Sequence, residues 1–322
     1  MERYDANKAL LDLIKKKGGY CNVHSHLDRS NTVTKNDFEN VVYSQLQEKW
    51  KLVDSFKRSA SVERYYDNIS TSLRKQKEMG TTSILSFIDL DEVCDNRALE
   101  AALICKEEFN NSSFSLSIAC QTLKGVVDPG SRKLLEENIE SFDLIGSLPA
   151  ADDDLEKHLD VVLDWGKSLS KRVHVHVDQL NVSREKETAL LIKKIRQHKM
   201  EGMVSAVHSI SLACQNRLYR ESVYKDAKDV ELSFITCPTA WIDSRRTEAY
   251  TVTHNAVTPV DEMIKFGLKV GIGSDNIYDI YKPFSDGNMT TELKFLLEST
   301  HIYDIEILSD IATKNGREIM GL

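Results

Sequence analysis

Short β-branched runs alternate with longer amphipathic stretches along the chain. Eight runs read as strands: Tyr20–His26, Ser83–Ile88, Ser115–Gln121, Leu144–Leu148, Arg172–Val177, Gly202–Val207, Glu231–Thr236 and Lys269–Gly273. Between them a helical period predicts helices over Val41–Arg58, Val62–Met79, Asn96–Asn110, Ser131–Glu140, Asp152–Ser170, Ser183–His198, Ala213–Tyr224 and Val260–Phe266. Thr290–Ser299 and Ile305–Met320 close the pattern. Asp152 to Asp154 read as first-turn acids that suit the helix dipole. Strand–helix alternation is the mark of βα units on a parallel sheet. Eight units predict an α/β protein of the (β/α)8 TIM-barrel class, with one domain over 1–322. A doubly wound sheet wants a glycine-rich first turn, whereas His26-Leu27-Asp28-Arg29-Ser30 holds no glycine.

Composition narrows the class of partner. The 322 residues carry 42 basic and 50 acidic side chains, a formal net charge of −8. That balance argues against broad binding to nucleic acid or to an anionic membrane. No stretch of about 18 apolar residues exists to span a membrane, and 1–20 lacks the apolar region of a signal peptide. Six cysteines without a CxxC pair read as reduced thiols, so a cytoplasmic location is expected.

Chemistry concentrates at the strand ends. Nine histidines occur in the chain, and five of them (His24, His26, His174, His176 and His208) fall on three strand ends. His24 and His26 share a strand face, as do His174 and His176, because strands have a period of two. Strand eight ends in Gly273-Ser274-Asp275. In a βα barrel these ends form the functional mouth. Imidazole nitrogens and a carboxylate gathered there suit one divalent cation, zinc or iron, that activates water. Asp275 can orient or deprotonate that water, and His208 can stabilise an oxyanion or move a proton. The remaining histidines, His158, His198, His254 and His301, are expected to be solvated.

The ordered segments "VHSHLDRS" (23–30), "IACQTLKGV" (118–126), "FDLIGSLP" (142–149), "VHVHVDQ" (173–179), "AVHSISLA" (206–213), "FITCPTAWI" (234–242), "GIGSDNIYD" (271–279) and "ATKNGREIMGL" (312–322) resemble the amidohydrolase superfamily, in its cytosine deaminase-like branch. The resemblance implies that His24, His26, His176 and Asp275 ligate one metal. It implies that His208 faces the attacking water and that Gln121 contacts substrate. "LIGSLPA" lacks the lysine that bridges two metals in binuclear relatives, so the resemblance implies a mononuclear site. Lys124 is expected to meet substrate or a carboxylate.

Two departures from the family pattern bear on function. The branch carries His-x-x-Glu after strand five, and the chain has His176-Val177-Asp178-Gln179. Glutamine hydrogen-bonds but does not exchange protons near neutrality. Asp178 points to the other face unless the loop re-aims it. A second register makes His174 the ligand in place of His176. The small β-sandwich built from both termini in many relatives is also expected to be absent, which favours a homo-oligomer. The resulting reading is a metal-dependent hydrolase of a C–N bond in a small, cyclic nitrogenous compound. Deamination comes first, and amide or substituted-amine hydrolysis is the alternative. A non-catalytic ligand-binding relative is the reading that Gln179 leaves open. Asp275, His208 and Gln179 are assigned to catalysis, and Gln121, Gln179, Asn276 and Trp241 to substrate. Asp279, Tyr281, Arg245 and Arg246 are further pocket candidates.

Overall fold

The computed structural model describes residues 4–40, 44, 46–240 and 254–322. The strands are β1 (Tyr20–Ser25), β2 (Thr81–Asp89), β3 (Ser115–Gln121), β4 (Ile145–Ser147), β5 (Val173–Val177), β6 (Val204–His208), β7 (Ser233–Thr236) and β8 (Val270–Ile272). The helices are α1 (Ala6–Lys16), α2 (Lys35–Asn40), α3 (Leu46–Ser59), α4 (Val62–Glu78), α5 (Arg97–Phe109), α6 (Pro129–Asn138), α7 (Leu155–Leu169), α8 (Glu187–His198), α9 (Arg217–Asp229), α10 (Val260–Lys265), α11 (Met289–Thr300), α12 (Ile305–Ala312) and α13 (Lys314–Met320). Among the described residues, no helix is long and apolar enough to cross a membrane.

All strand pairs are parallel, in one sheet ordered β1-β2-β3 and a second ordered β4-β5-β6-β7-β8. Isolated parallel bridges join the sheets at both seams, Ser25 to Asp275 and Ala119 to Leu144. At the first seam the Asp275 amide donates to the His24 carbonyl at 2.9 Å. That bond ties the end of β8 directly to the His-x-His segment.

Side-chain alternation explains how β5 presents its histidines. Val173, Val175 and Val177 pack with Leu159, Val162, Leu191 and Ile195 in the large apolar core beneath the helices. His174 and His176 therefore take the opposite face. In β4, a Cβ on Gly146 would lie 2.0 Å from the Cys120 carbonyl oxygen and 2.6 Å from the Phe87 ring. Only glycine lets β4 approach so closely. Phe87 in turn packs edge-on against His24 and His176, with ring centroids 4.7 and 4.9 Å away.

Several boundaries differ from the sequence reading, and 41–43 and 45 of the first predicted helix lie outside the described residues. The last predicted helix is two, because Thr313 leaves helical geometry at φ −135° and ψ −84°. α7 begins at Leu155 with Asp154 as its cap, accepting from the Lys157 amide at 3.0 Å. Asp152 instead accepts from the Val126 amide at 2.7 Å and from His158 Nδ1 at 2.6 Å. His158 is thus buried against Ser147 and Asp152, not solvated. α1 and α2 had no counterpart in the periodicity.

Candidate metal centre

Five polar side chains from four strand ends converge. His24 and His26 come from β1 and the residue after it, His176 from β5, His208 from β6, and Asp275 from beyond β8. All five are buried. The Asp275 Oδ1 lies 3.4 Å from His24 Nε2 and 3.3 Å from His26 Nε2. Two overlapping triads have all ligand atoms within 4.8 Å of one another: His24, His176 and His208, and His24, His26 and Asp275. His208 reaches the cluster through its backbone. Val204 and Ala206 of β6 face the helices, and regular alternation would send His208 after them. Its φ of +75° breaks the alternation, and its ring lies 5.4 Å from those of His24 and His176.

The supporting contacts differ from one imidazole to the next. His176 Nδ1 donates to the Ser147 carbonyl at 2.8 Å, which leaves Nε2 with its lone pair. Arg29 Nη2 donates to His26 Nδ1 at 2.9 Å. Arg29 also meets Asp89 at 3.2 Å, and Asp89 meets Lys57 at 3.2 Å, with Lys57 bonded onward to Asp91. These four charged residues are all buried. Burial, then the nearby Arg29 charge, pushes the His26 imidazole down to about 3. Burial likewise pushes His208 down to about 3 and His176 well below its ordinary value. Burial pulls Asp275 upward, but the imidazoles of His24 and His26 outweigh it and hold the carboxyl well below the usual range. The result is neutral imidazoles at His26, His176 and His208 beside a carboxylate, a donor set that suits a divalent cation.

Both ring nitrogens of His24 and both of His208 are buried without a hydrogen-bond partner. Such orphaned groups cost roughly 1–3 kcal/mol each. A cation bound at one nitrogen of His24 removes that cost there, so the cluster fits a divalent metal.

No protein-family model matches the chain. An uncharacterized protein of Haemophilus influenzae is 42% identical over 257 residues, spanning 79% of this chain and 93% of its own. The two belong to one family. The N-isopropylammelide isopropyl amidohydrolase of Pseudomonas sp. is 22% identical, covering 94% of this chain and 74% of its own. The 5-methylcytosine deaminase of Klebsiella pneumoniae, solved with 5-fluorocytosine, matches with a TM-score of 0.82 at 22% identity, over 94% of this chain and 75% of that one. The chain shares the fold of these amidohydrolase and deaminase structures.

The other expected residues distribute unevenly. Gln121 ends β3, buried, with Oε1 unpartnered. Gln179 is buried just beyond β5. Asn276 is buried and donates to Asp279 Oδ2 at 2.5 Å. Trp241, Arg245 and Arg246 lie outside the described residues. His174 stays out of the cluster, with Nε2 3.3 Å from the Ile319 carbonyl. Asp178 is not re-aimed into the site. It caps α8 instead, accepting from the Glu187 amide at 2.7 Å and the Thr188 hydroxyl at 2.6 Å. Lys124 meets a carboxylate, Asp54, at 2.6 Å. The Arg29–Asp89–Lys57 network was missed by sequence reasoning. Its only signal was that Arg29 follows the His-x-His motif by three residues.

Proposed function

We propose that the chain is a mononuclear metal-dependent hydrolase that cleaves a C–N bond in a small heterocyclic compound, with deamination as its first reaction. The supporting observation is the dry convergence of His24, His26, His176, His208 and Asp275, with the Asp275 carboxylate within reach of two imidazoles. The two seam bridges support a closed (β/α)8 barrel, read as one domain over 1–322. Six free thiols support a reducing, cytoplasmic setting.

His24, His26, His176 and Asp275 would hold the cation, zinc or iron. Once bound, it supplies Lewis-acid activation that brings a water pKa to about 7. Asp275 accepts the proton lost as the water oxygen adds to an sp2 carbon, and returns it to the leaving nitrogen. Neutral His208 donates to the oxygen that gains negative charge. Gln121 and Gln179 orient the ring, Gln121 accepting from a substrate N–H through its free Oε1. Asn276 lines the same pocket.

Gln179 favours a second reading within the class. It cannot deliver a proton to a ring nitrogen, so amide hydrolysis, which protonates only the leaving nitrogen, suits this site as well, and removal of a substituted amine is the other alternative. One experiment tests both. Protein loaded with zinc or iron is assayed for ammonia release from cytosine and 5-methylcytosine, and for isopropylamine release from N-isopropylammelide. Release that tracks metal content supports the proposal. Equal activity in metal-stripped protein, or none with loaded protein across a wider panel of aminoheterocycles and amides, overturns it.

A further inference from the structure

Asp152, His158 and Ser147 form an unbroken chain of hydrogen bonds that ends on an imidazole of the metal centre. Asp152 Oδ2 lies 2.6 Å from His158 Nδ1, and His158 Nε2 lies 2.9 Å from Ser147 Oγ. The Ser147 carbonyl then accepts from His176 Nδ1 at 2.8 Å. We propose that Asp152 and His158 are positioning residues for His176, acting through Ser147. The proposal deepens the metal-dependent hydrolase reading above and rests on its assignment of His176 as a ligand.

Chemistry fixes the direction of every bond. A carboxylate only accepts, so His158 carries its proton on Nδ1 and offers Nε2 as an acceptor. The Ser147 hydroxyl therefore donates. Burial alone would raise the Asp152 carboxyl, but the bonds from His158 and from the Val126 amide outweigh it and hold the group below its ordinary value. The end of β4 has few other restraints. Its ladder with β5 ends at Ser147, opposite Val175. Toward β3 it makes an isolated bridge at Leu144, before the strand begins. Ile145 packs in the core beneath the helices, and Ser147, two residues on, shares that face. Its hydroxyl thus reaches His158 on α7, while its carbonyl meets His176. An imidazole that binds metal through one nitrogen is oriented by the acceptor of its other N–H, so the set of the Ser147 peptide is the set of the His176 ring. Ser147 and His158 are both buried, and loss of the hydroxyl would leave His158 Nε2 without a donor. Asp152 also accepts from the amides of Val126 and Val127 at 2.7 and 3.3 Å. Both stand in the loop that leaves β3 after Gln121, where a Cβ on Gly125 would collide with the Asp152 carboxylate. One carboxylate thus fixes the loop behind the candidate substrate contact and, through His158, the peptide that aims a ligand.

Two readouts in the full chain test this: zinc affinity by competition with a chelator, and the His176 Nδ1–H signal of metal-free protein, assigned by its loss in His176→Ala. Ser147→Ala keeps the carbonyl and removes the hydroxyl. It is expected to weaken zinc binding about tenfold, the lower end for groups behind a ligand, and to speed solvent exchange of the His176 proton by a similar factor. Ser147→Thr keeps a hydroxyl and is expected to restore both. Asp152→Asn, whose amide can donate to His158 Nδ1 and reverse the bonds, is expected to act like Ser147→Ala and keeps the test open should that variant not fold. A bond that serves stability alone would lower the melting temperature and leave both readouts at parent values, and that result overturns the proposal. A loss that Ser147→Thr fails to restore overturns it too. The expected responses from a protein that hydrolyses no C–N bond would retain the positioning role and overturn the reaction, whereas an active parent with an unresponsive Ser147→Ala would do the reverse.

Discussion

Arg29 Nη2 stands 2.9 Å from Nδ1 of His26. A guanidinium only donates, so without metal this nitrogen holds the lone pair and a neutral His26 carries its proton on Nε2; ligation through Nε2 moves that proton to Nδ1 and breaks the Arg29 bond. His176 is the mirror case, because its Nδ1 faces a backbone carbonyl that only accepts. In metal-free protein, ¹⁵N chemical shifts of the imidazoles should therefore report opposite tautomers at the two positions. Arg29→Lys should loosen the His26 preference and leave His176 unchanged. The same tautomer at both would contradict this assignment.

The two candidate registers on β5 separate cleanly by mutation. His176→Ala and Asp275→Asn should each weaken metal binding by more than about 100-fold, beyond the 10–100-fold typical of residues behind the ligands. His174→Ala should keep its metal, since that ring is turned to the Ile319 carbonyl. Competition with a chelator, followed by elemental analysis, measures all three.

Gln179→Glu tests the missing proton relay. If a carboxyl at this position can serve the ring nitrogen, ammonia release from cytosine should rise by about 10²-fold or more. Ammonia release from a primary amide, which has no ring nitrogen to protonate, should change little. A variant that gains nothing on cytosine would place the proton path elsewhere.

Glu187 makes stability depend on pH. Burial, aided by Glu185 and Asp178, raises its carboxyl to about 8. The folded state therefore holds a proton that the unfolded chain releases near 4.5. Its contribution is complete below that ordinary value and fades as pH climbs to about 8. Glu187→Gln removes this slope while keeping an oxygen for the Asp178 amide. Relative to the parent, it should gain about 2 kcal/mol on passing from pH about 4 to about 9, a figure reduced for partial exposure. Denaturant melts at several pH values check the sign.

Strands were legible because their apolar runs are short and bounded, and β3 matches its predicted limits, Ser115–Gln121. α2 (Lys35–Asn40) was not, since six residues hold too little period to read. The histidines were legible through spacing alone. His158 was misread because a lone helical histidine gives no sign that Ser147 and Asp152 enclose it. Asp178 lay beyond reach for a related reason. Whether it turns inward depends on a φ of +51°, which no side-chain pattern encodes. The buried charges of Arg29, Lys57, Asp89 and Asp91 come from α3, β2 and the loops after β1 and β2, and only tertiary proximity makes them a network.

Four non-glycine residues with left-handed backbone stand at the ends of β5, β6 and β8: Asp178, His208, Ser209 and Asp275, at φ +51°, +75°, +51° and +57°. Such conformations cost on the order of 1 kcal/mol or more apiece. Strained backbone is thus held along the rim where the reactive groups gather, and two of the four are themselves candidate reactive groups. Efforts to make this protein tolerate heat should leave those corners untouched.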